Sequence, residues 1–162
     1  MRRTQILFAI CLSLLSAVAA GSQASDVGAL PGALRAHVQD ERFGIVTSIR
    51  GLPLGVRDAL ATLFGGPLDI AEPGAEFQMT GAVVNPKLPV RRLAAAGCSI
   101  DHCLVYYERG GKEHTWHVAL FHWTPAATRF ECGGAAPGGL ATIDDVLKAI
   151  LSGQIKGQAR FW

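Results

Sequence analysis

Charged side chains are scarce in this sequence, and neither sign is in clear excess. Asp, Glu, Lys and Arg make up 17% of the 162 residues, and the formal net charge is +2 at pH 7. Arg2 and Arg3 lie in a segment that we expect to be removed, which would leave 13 basic and 13 acidic residues. Binding to nucleic acid and electrostatic binding to membranes both need a basic surface. The composition therefore argues against both functions.

Long apolar runs are lacking after the first residues of the chain. Arg2 and Arg3 precede an apolar run over residues 6–18, and mostly small residues follow it up to Ala24. This layout is typical of a secretory signal peptide, and the run is shorter than the ~20 residues that span a bilayer. We predict a signal peptide over residues 1–20, cleaved between about residues 19 and 24, and a single exported α+β domain over residues 25–162. No stable membrane anchor is expected after cleavage.

Cysteine is also rare, and only Cys98, Cys103 and Cys132 lie in the predicted mature domain. Exported proteins enter an oxidising compartment in which disulfides persist. Three cysteines allow one bridge within the chain and leave one thiol. Loop closure favours the pair Cys98–Cys103 because the two are close in sequence, with Cys132 bridged to either of them as the alternative. If it is unpaired, Cys132 is expected to be a small buried residue.

The spacing of apolar residues predicts helices in both halves of the chain. Residues 54–64 and 142–152 carry apolar side chains at helical intervals. Thr142 and Asp145 have the spacing of a capping box at the start of the second helix. A shorter helix is predicted over residues 33–40. The helices at 54–64 and 142–152 are expected to pack on one face of a sheet.

Strands are predicted mainly in the second half of the chain. Residues 75–84 indicate a strand, whereas residues 43–49 fit either a strand or a continuing helix. From Arg91 onward, β-branched and aromatic runs predict a meander in which Gly110 and Gly111 form a two-residue hairpin turn. These elements predict an α+β fold, a small antiparallel β-meander of about four strands with the N-terminal and C-terminal helices packed on one face.

Three histidines, His114, His117 and His122, occur within ten residues of a predicted strand. Side chains alternate in a strand and residues advance about 3.3 Å each, so no two of these three can bind one metal from this strand alone. A two-residue turn in the hairpin would instead make His102 and His117 diagonal neighbours on one face, about 7 Å apart. We expect no metal or other cofactor, with His102 and His117 as the alternative metal ligands.

The segment HVALFHW, residues 117–123, resembles the histidine strand of NlpC/P60-type papain-like peptidases. In that family a cysteine at the start of a helix is paired with a strand histidine, and circularly permuted members place the histidine first. The resemblance implies a cysteine-dependent hydrolase in which Cys132 pairs with His117 or His122. The sequence departs from the pattern, because Cys132 precedes the last helix by ten residues and Thr142 stands at the helix start.

Other polar features are interpreted as structural. His37 is expected on the solvated face of a helix, and Asp101 and His102 are expected to form a polar pair in a loop. The glycine-rich segment GGAAPGG, residues 133–139, lacks the Lys-Ser/Thr pair of a phosphate-binding P-loop. We therefore interpret this segment as a connector.

The leading functional prediction is a non-catalytic periplasmic or secreted module with a binding or inhibitory role, because no convincing catalytic constellation is present. Its partner is expected to be an envelope or secreted protein. A cysteine-dependent hydrolase and a metal-binding protein are the alternatives. Tyr and Trp are common binding anchors, so the predicted recognition surface consists of Tyr106, Tyr107, Trp116 and Trp123.

Overall fold

A computed structural model describes residues 30–82 and 85–157, so the predicted signal peptide at residues 1–20 lies outside the described residues. The α-helices in this part of the chain are α1 (Gly32–Asp40), α2 (Leu54–Phe64) and α3 (Ile143–Leu151). The strands are β1 (Gly44–Val46), β2 (Arg91–Cys98), β3 (His102–Arg109), β4 (Thr115–Trp123) and β5 (Thr128–Ala136). None of these helices is both long enough and apolar enough to cross a membrane.

The strands form one antiparallel sheet in the order β1-β2-β3-β4-β5. Each strand pairs with the next strand in the chain, which makes the sheet a meander. The predicted α+β fold class is therefore confirmed, with five strands where the sequence predicted about four. The additional strand is β1, which lies in the segment 43–49 that the sequence left open between strand and helix.

Proline, glycine and threonine mark the ends of two predicted helices. α2 begins directly after Pro53 and ends at Gly65, which adopts the left-handed conformation with a φ of 72°. The hydroxyl of Thr142 accepts a hydrogen bond from the backbone N–H of Asp145 and donates one to its carboxylate, so the predicted capping box is confirmed. α3 is followed by Gly153, which is also left-handed.

The strand predicted over residues 75–84 is wrong over its described part, because residues 75–82 contain no strand. This segment and the residues before it instead lie beside the start of β2, where only isolated hydrogen bonds join them to the chain. The backbone N–H of Gln78 donates to the carbonyl of Pro89, and Ala71 forms a single bridge with Arg92. A proline has no backbone N–H, so Pro89 cannot donate to a ladder with this segment.

The predicted two-residue turn between β3 and β4 is also wrong. Arg109 pairs with Thr115, so residues 110–114 form the connection. Gly110 is needed for a different reason: a Cβ at this position would lie 1.8 Å from the carbonyl oxygen of Gln78 and 2.7 Å from Cα of Met79. Gly110 therefore permits close approach of the backbone at residues 78–79, and it does not serve as a central residue of a two-residue turn.

The longer connection shifts the register of the hairpin by three residues. Leu104 pairs with Leu120, whereas the predicted turn would have paired Leu104 with His117. A shift by an odd number of residues moves a whole set of side chains to the other face. His117 consequently lies on the face of the sheet opposite to His102 and Leu104.

Each face of the sheet carries its own apolar cluster. The helices α1 and α3 cover one face and α2 covers the other, so the expectation that the helices at 54–64 and 142–152 share a face is wrong. The α1 and α3 side buries Val38, Leu104, Tyr106, Val118, Leu120, Val146 and Ile150. The α2 side buries Val56, Leu60, Val105, Tyr107, Ala119 and Phe121.

A disulfide between Cys98 and Cys103 joins the end of β2 to the start of β3, as the sequence predicts. The two residues are also cross-strand partners in the ladder, so the bridge closes the hairpin at its turn. Cys132 is a free and buried cysteine, as expected for the thiol left over by this pairing, and the alternative pairing of Cys132 with Cys98 or Cys103 is wrong.

Candidate metal centre

Four side chains with metal-ligating atoms converge where the end of α1 meets the turn between β2 and β3. One ligand atom from each side chain lies within 4.8 Å of all the others. Histidine and carboxylate groups are the usual nitrogen and oxygen ligands of divalent metals in proteins. The four residues are His37, Glu41, Asp101 and His102, and we call them the His/carboxylate cluster.

The helix α1 contributes the first half of the cluster. His37 lies in its last turn and Glu41 caps its C-terminal end. A spacing of four residues brings two helical side chains together on one side, and the Nε2 atom of His37 lies 3.0 Å from Oε1 of Glu41. Val38 is fully buried against the sheet, so the helix is anchored directly beside its two ligating side chains.

The turn between β2 and β3 contributes the second half. Asp101 lies in the turn and His102 begins β3. The disulfide between Cys98 and Cys103 encloses both residues, and the backbone N–H of Trp123 donates to the carbonyl of Asp101 over 2.8 Å. The turn is therefore held covalently and by hydrogen bonding before any ligand arrives.

The two imidazoles face the same pair of carboxylates. The Nδ1 atom of His102 lies 2.6 Å from Oε1 of Glu41 and 3.2 Å from Oδ1 of Asp101. The Nε2 atom of His37 lies 3.1 Å from Oδ2 of Asp101. The side chains of His102 and Glu41 are almost wholly buried, whereas that of His37 is 54% exposed, so the cluster opens to solvent on the His37 side.

Ser99 supports the cluster from outside. Its hydroxyl donates to Oε2 of Glu41 and accepts a hydrogen bond of 2.9 Å from the backbone N–H of His102. Partners of this kind orient ligating groups and are a regular feature of protein metal sites. Ser99 therefore fixes the Glu41 carboxylate so that its other oxygen points at the imidazoles.

A third imidazole contacts the cluster without joining it. His122 is the cross-strand partner of His102, and the two rings meet edge to face with their centroids 5.3 Å apart. The ring of His37 also meets the ring of His102 edge to face, with a centroid distance of 5.4 Å. Contacts with two other imidazoles therefore restrict the ring orientation of His102.

The electrostatics of the cluster favour positive charge. The hydrogen bond to Asp101, together with the negative charges of Glu41 and Asp101, raises the pKa of His37. Burial alone would raise the pKa of Asp101, but the hydrogen bond to His37 and the positive charge of the histidines lower it overall. The same surroundings that stabilise a proton on His37 would also stabilise a divalent cation between the ligand atoms.

The alternative metal pair predicted from the sequence, His102 and His117, does not form, because the two residues lie on opposite faces of the sheet. His117 stacks on Tyr107 with a centroid distance of 5.3 Å, and its Nε2 atom lies 2.9 Å from the hydroxyl of Thr115. Burial and the nearby arginine charges lower the pKa of His117 to about 4.

Cys132 lacks the environment that a nucleophile needs. It pairs with Leu120 on the face covered by α1 and α3, and it is separated by the sheet from His117. Burial and the charge of Glu131 raise the pKa of its thiol to about 12. The thiolate is the reactive form of cysteine, so Cys132 has little nucleophilic character at neutral pH, whether His117 or His122 is considered as its base.

The four aromatic residues predicted to form a recognition surface do not form one patch. Tyr106 and Tyr107 are fully buried, one on each face of the sheet. Trp116 stacks on Tyr106 at 5.2 Å and is half-buried on the α1 and α3 side. Trp123 is half-buried on the opposite side. The two tryptophans therefore contribute to separate surfaces.

The sequence predicts His37 on a solvated helix face and Asp101 and His102 as a polar pair in a loop, and these two predictions do not bring the residues together. The available signals were the four-residue spacing of His37 and Glu41 on a predicted helix and the adjacency of Asp101 to His102. Joining the two pairs requires contact between groups 61 residues apart in sequence.

No protein-family model matches the chain, and neither a curated protein nor a solved structure matches it significantly.

Proposed function

We propose that the protein is a non-catalytic binding module that holds one divalent transition-metal ion, with Zn²⁺ as the expected ion, in the His/carboxylate cluster. The observation that carries this proposal is the convergence of four ligand atoms within 4.8 Å of one another. Two nitrogens and two oxygens form a donor set that suits Zn²⁺ in tetrahedral coordination.

The distances within the cluster are close to those that a bound ion needs. Ligand atoms about 2.0–2.1 Å from a tetrahedral Zn²⁺ lie about 3.3 Å from one another. The closest contacts between the imidazole nitrogens and the carboxylates are 2.6–3.2 Å. An ion would therefore replace the protons between these atoms after a small expansion of the cluster.

The cluster also combines rigidity with access. The disulfide and Ser99 hold the buried half of the site, while exposed His37 offers a route by which an ion enters. Four protein ligands leave no open coordination position for a substrate, which is typical of structural zinc sites. This feature and the buried, weakly acidic thiol of Cys132 favour a binding module over a hydrolase.

We further propose that the protein acts in the periplasm or outside the cell. The disulfide between Cys98 and Cys103 is compatible with an oxidising compartment. The same compartment limits the candidate partners to envelope or secreted proteins.

Isothermal titration of the purified, tag-free protein with Zn²⁺ after treatment with EDTA tests the proposal. We expect one ion per chain, with release of protons because the ligating imidazoles must be neutral. His102→Ala and Asp101→Asn each remove one ligand and should weaken Zn²⁺ binding at least about tenfold. Changing a residue that only supports a ligand already weakens metal binding by about this factor.

The matched control is His114→Ala, which removes an exposed histidine that lies 2.8 Å from Glu108, outside the cluster. This variant should bind Zn²⁺ as the parent protein does. Because buried His102 also contributes to packing, Asp101→Asn at the more exposed turn is the decisive variant. Absence of binding to the parent protein, or unchanged affinity in folded Asp101→Asn, would overturn the proposal.

A further inference from the structure

A second polar site lies on the opposite face of the sheet, beside the connection between β3 and β4. It is an open cleft of about 590 Å³, and its polar lining includes Arg109, Lys112, Thr115 and His117. Small-molecule sites commonly have volumes of about 300–1,000 Å³. The cleft therefore has the size of a ligand site, and it shares no residue with the His/carboxylate cluster.

The register of the sheet gathers polar side chains in two adjacent rows at this cleft. Arg91, Arg109 and Thr115 are cross-strand neighbours in one row. Tyr107 and His117 are cross-strand neighbours in the next row, two residues before Arg109 in β3. Side chains two residues apart in a strand point to the same face, so all five side chains share the face on which the cleft opens.

Tyr107 contributes a buried hydroxyl to this set. The side chain is fully buried, and within the described residues the hydroxyl has no hydrogen-bond partner. Its ring stacks on the imidazole of His117, which lines the cleft. A buried hydroxyl without a partner is unfavourable, and a ligand acceptor reaching past His117 would satisfy it.

The charges around the cleft favour an anion. Burial lowers the pKa of Arg91, and the positive charge of nearby Arg109 adds to this effect. The negative charge of Asp69 raises the pKa of Arg91. Glu113 lines the cleft together with Lys112. Arg109 and Lys112 thus place positive charge on the lining of the cleft, with which the carboxylate of a ligand would interact favourably.

We propose that this cleft binds a small organic anion through a carboxylate that accepts hydrogen bonds from Arg109, Thr115 and Tyr107. A guanidinium has five N–H donors in a planar fork that matches a carboxylate, so Arg109 serves a ligand alongside its neighbours in the protein. His117 forms one wall of the cleft and holds the ring of Tyr107 by stacking.

Binding of succinate and benzoate to the purified protein, followed by saturation-transfer NMR and calorimetry, tests this inference. The uncharged amides succinamide and benzamide have similar shapes and serve as controls for the charge. We expect at least one of the two carboxylates to bind in the millimolar range or tighter, and neither amide to bind. Arg109→Gln should weaken binding at least about tenfold, because hydrogen bonds between charged groups are the stronger ones.

Tyr107→Phe and Tyr106→Phe form a matched pair of variants that each remove one hydroxyl from β3. The Tyr106 hydroxyl lies on the other face and donates to the carbonyl of Pro137 over 2.7 Å. Tyr107→Phe should weaken carboxylate binding severalfold while the protein stays folded. Tyr106→Phe should leave carboxylate binding unchanged.

Three outcomes would overturn the inference: no binding of either carboxylate, equal binding of the amides, or unchanged binding in folded Arg109→Gln and Tyr107→Phe. Zinc binding is independent of this cleft, so His102→Ala should retain carboxylate binding and Tyr107→Phe should retain Zn²⁺ binding. Failure of one proposal is therefore distinguishable from failure of the other.

Discussion

His102 and His117 show how two histidines of one hairpin acquire opposite surroundings. Both imidazoles are almost wholly buried. His102 lies against the carboxylates of Glu41 and Asp101. His117 lies within electrostatic range of Arg91 and Arg109. The first environment attracts a cation and the second repels one, and the difference follows from the face of the sheet on which each residue lies.

The environment of His117 predicts a loss of stability in weak acid. Its pKa is about 4 in the folded protein, against about 6.5 in an unfolded chain. Between these values the unfolded state binds more protons, so the contribution of neutral His117 is complete above about pH 6.5 and is lost as the pH falls towards 4. The loss should be on the order of 2–3 kcal/mol in the free energy of unfolding.

Urea unfolding of the parent protein and of His117→Gln at pH 7 and pH 4.5, both with EDTA, measures this effect. The other titrating groups are common to both proteins, so the difference between their pH dependences reports on His117. We expect a smaller loss of stability on acidification in the variant. Parallel pH dependences would show that His117 does not carry the effect.

At the scale of elements, the sequence predicted which segments form helices and strands better than it predicted how they meet. The helix at 54–64 and the capping box at Thr142 follow from local spacing, which the structure retains. The register of the β3–β4 hairpin does not follow from local sequence, because Gly110 is required for close packing against the backbone of Gln78 and is not a turn residue. The His/carboxylate cluster could not be predicted either, since its two halves meet only through packing of α1 on the sheet.

Gly110 is therefore a site where a single methyl group should destabilise the fold. In Gly110→Ala the new Cβ would lie far inside the contact distance to the backbone of Gln78 and Met79, which would have to move. Overpacking of this kind costs about 1–3 kcal/mol in the free energy of unfolding. Denaturant unfolding measures the cost directly.

Gly66→Ala is the matched control for this substitution. No atom lies within 4 Å of the position of a Cβ on Gly66, and its φ is not in the left-handed range. We expect a change within about 0.5 kcal/mol, as for ordinary surface substitutions. Equal stability of the two variants would mean that the backbone at residues 78–79 moves away from the added methyl group at little cost in free energy, which would contradict this prediction.

At the scale of the whole molecule, the two faces of the sheet are stabilised in different ways. The α2 face carries the apolar cluster around Tyr107 and the proposed anion cleft. The opposite face holds α1, and the His/carboxylate cluster links that short helix to the disulfide-closed turn between β2 and β3. Metal binding should therefore act locally, on one face of the molecule.

Hydrogen exchange with and without Zn²⁺ tests this locality. An ion at 100 times its Kd stabilises a folded state that binds it by about 2.7 kcal/mol. Local opening of α1 breaks the cluster, so amides of residues 34–41 and 99–103 should exchange more slowly with Zn²⁺. Amides of α2 that exchange through local opening should be unaffected, because α2 contributes no ligand.

Asp101→Asn should abolish the protection of α1 by Zn²⁺, because it removes one ligand of the cluster. Equal protection of α1 and α2, or protection that persists in Asp101→Asn, would require the ion to bind elsewhere.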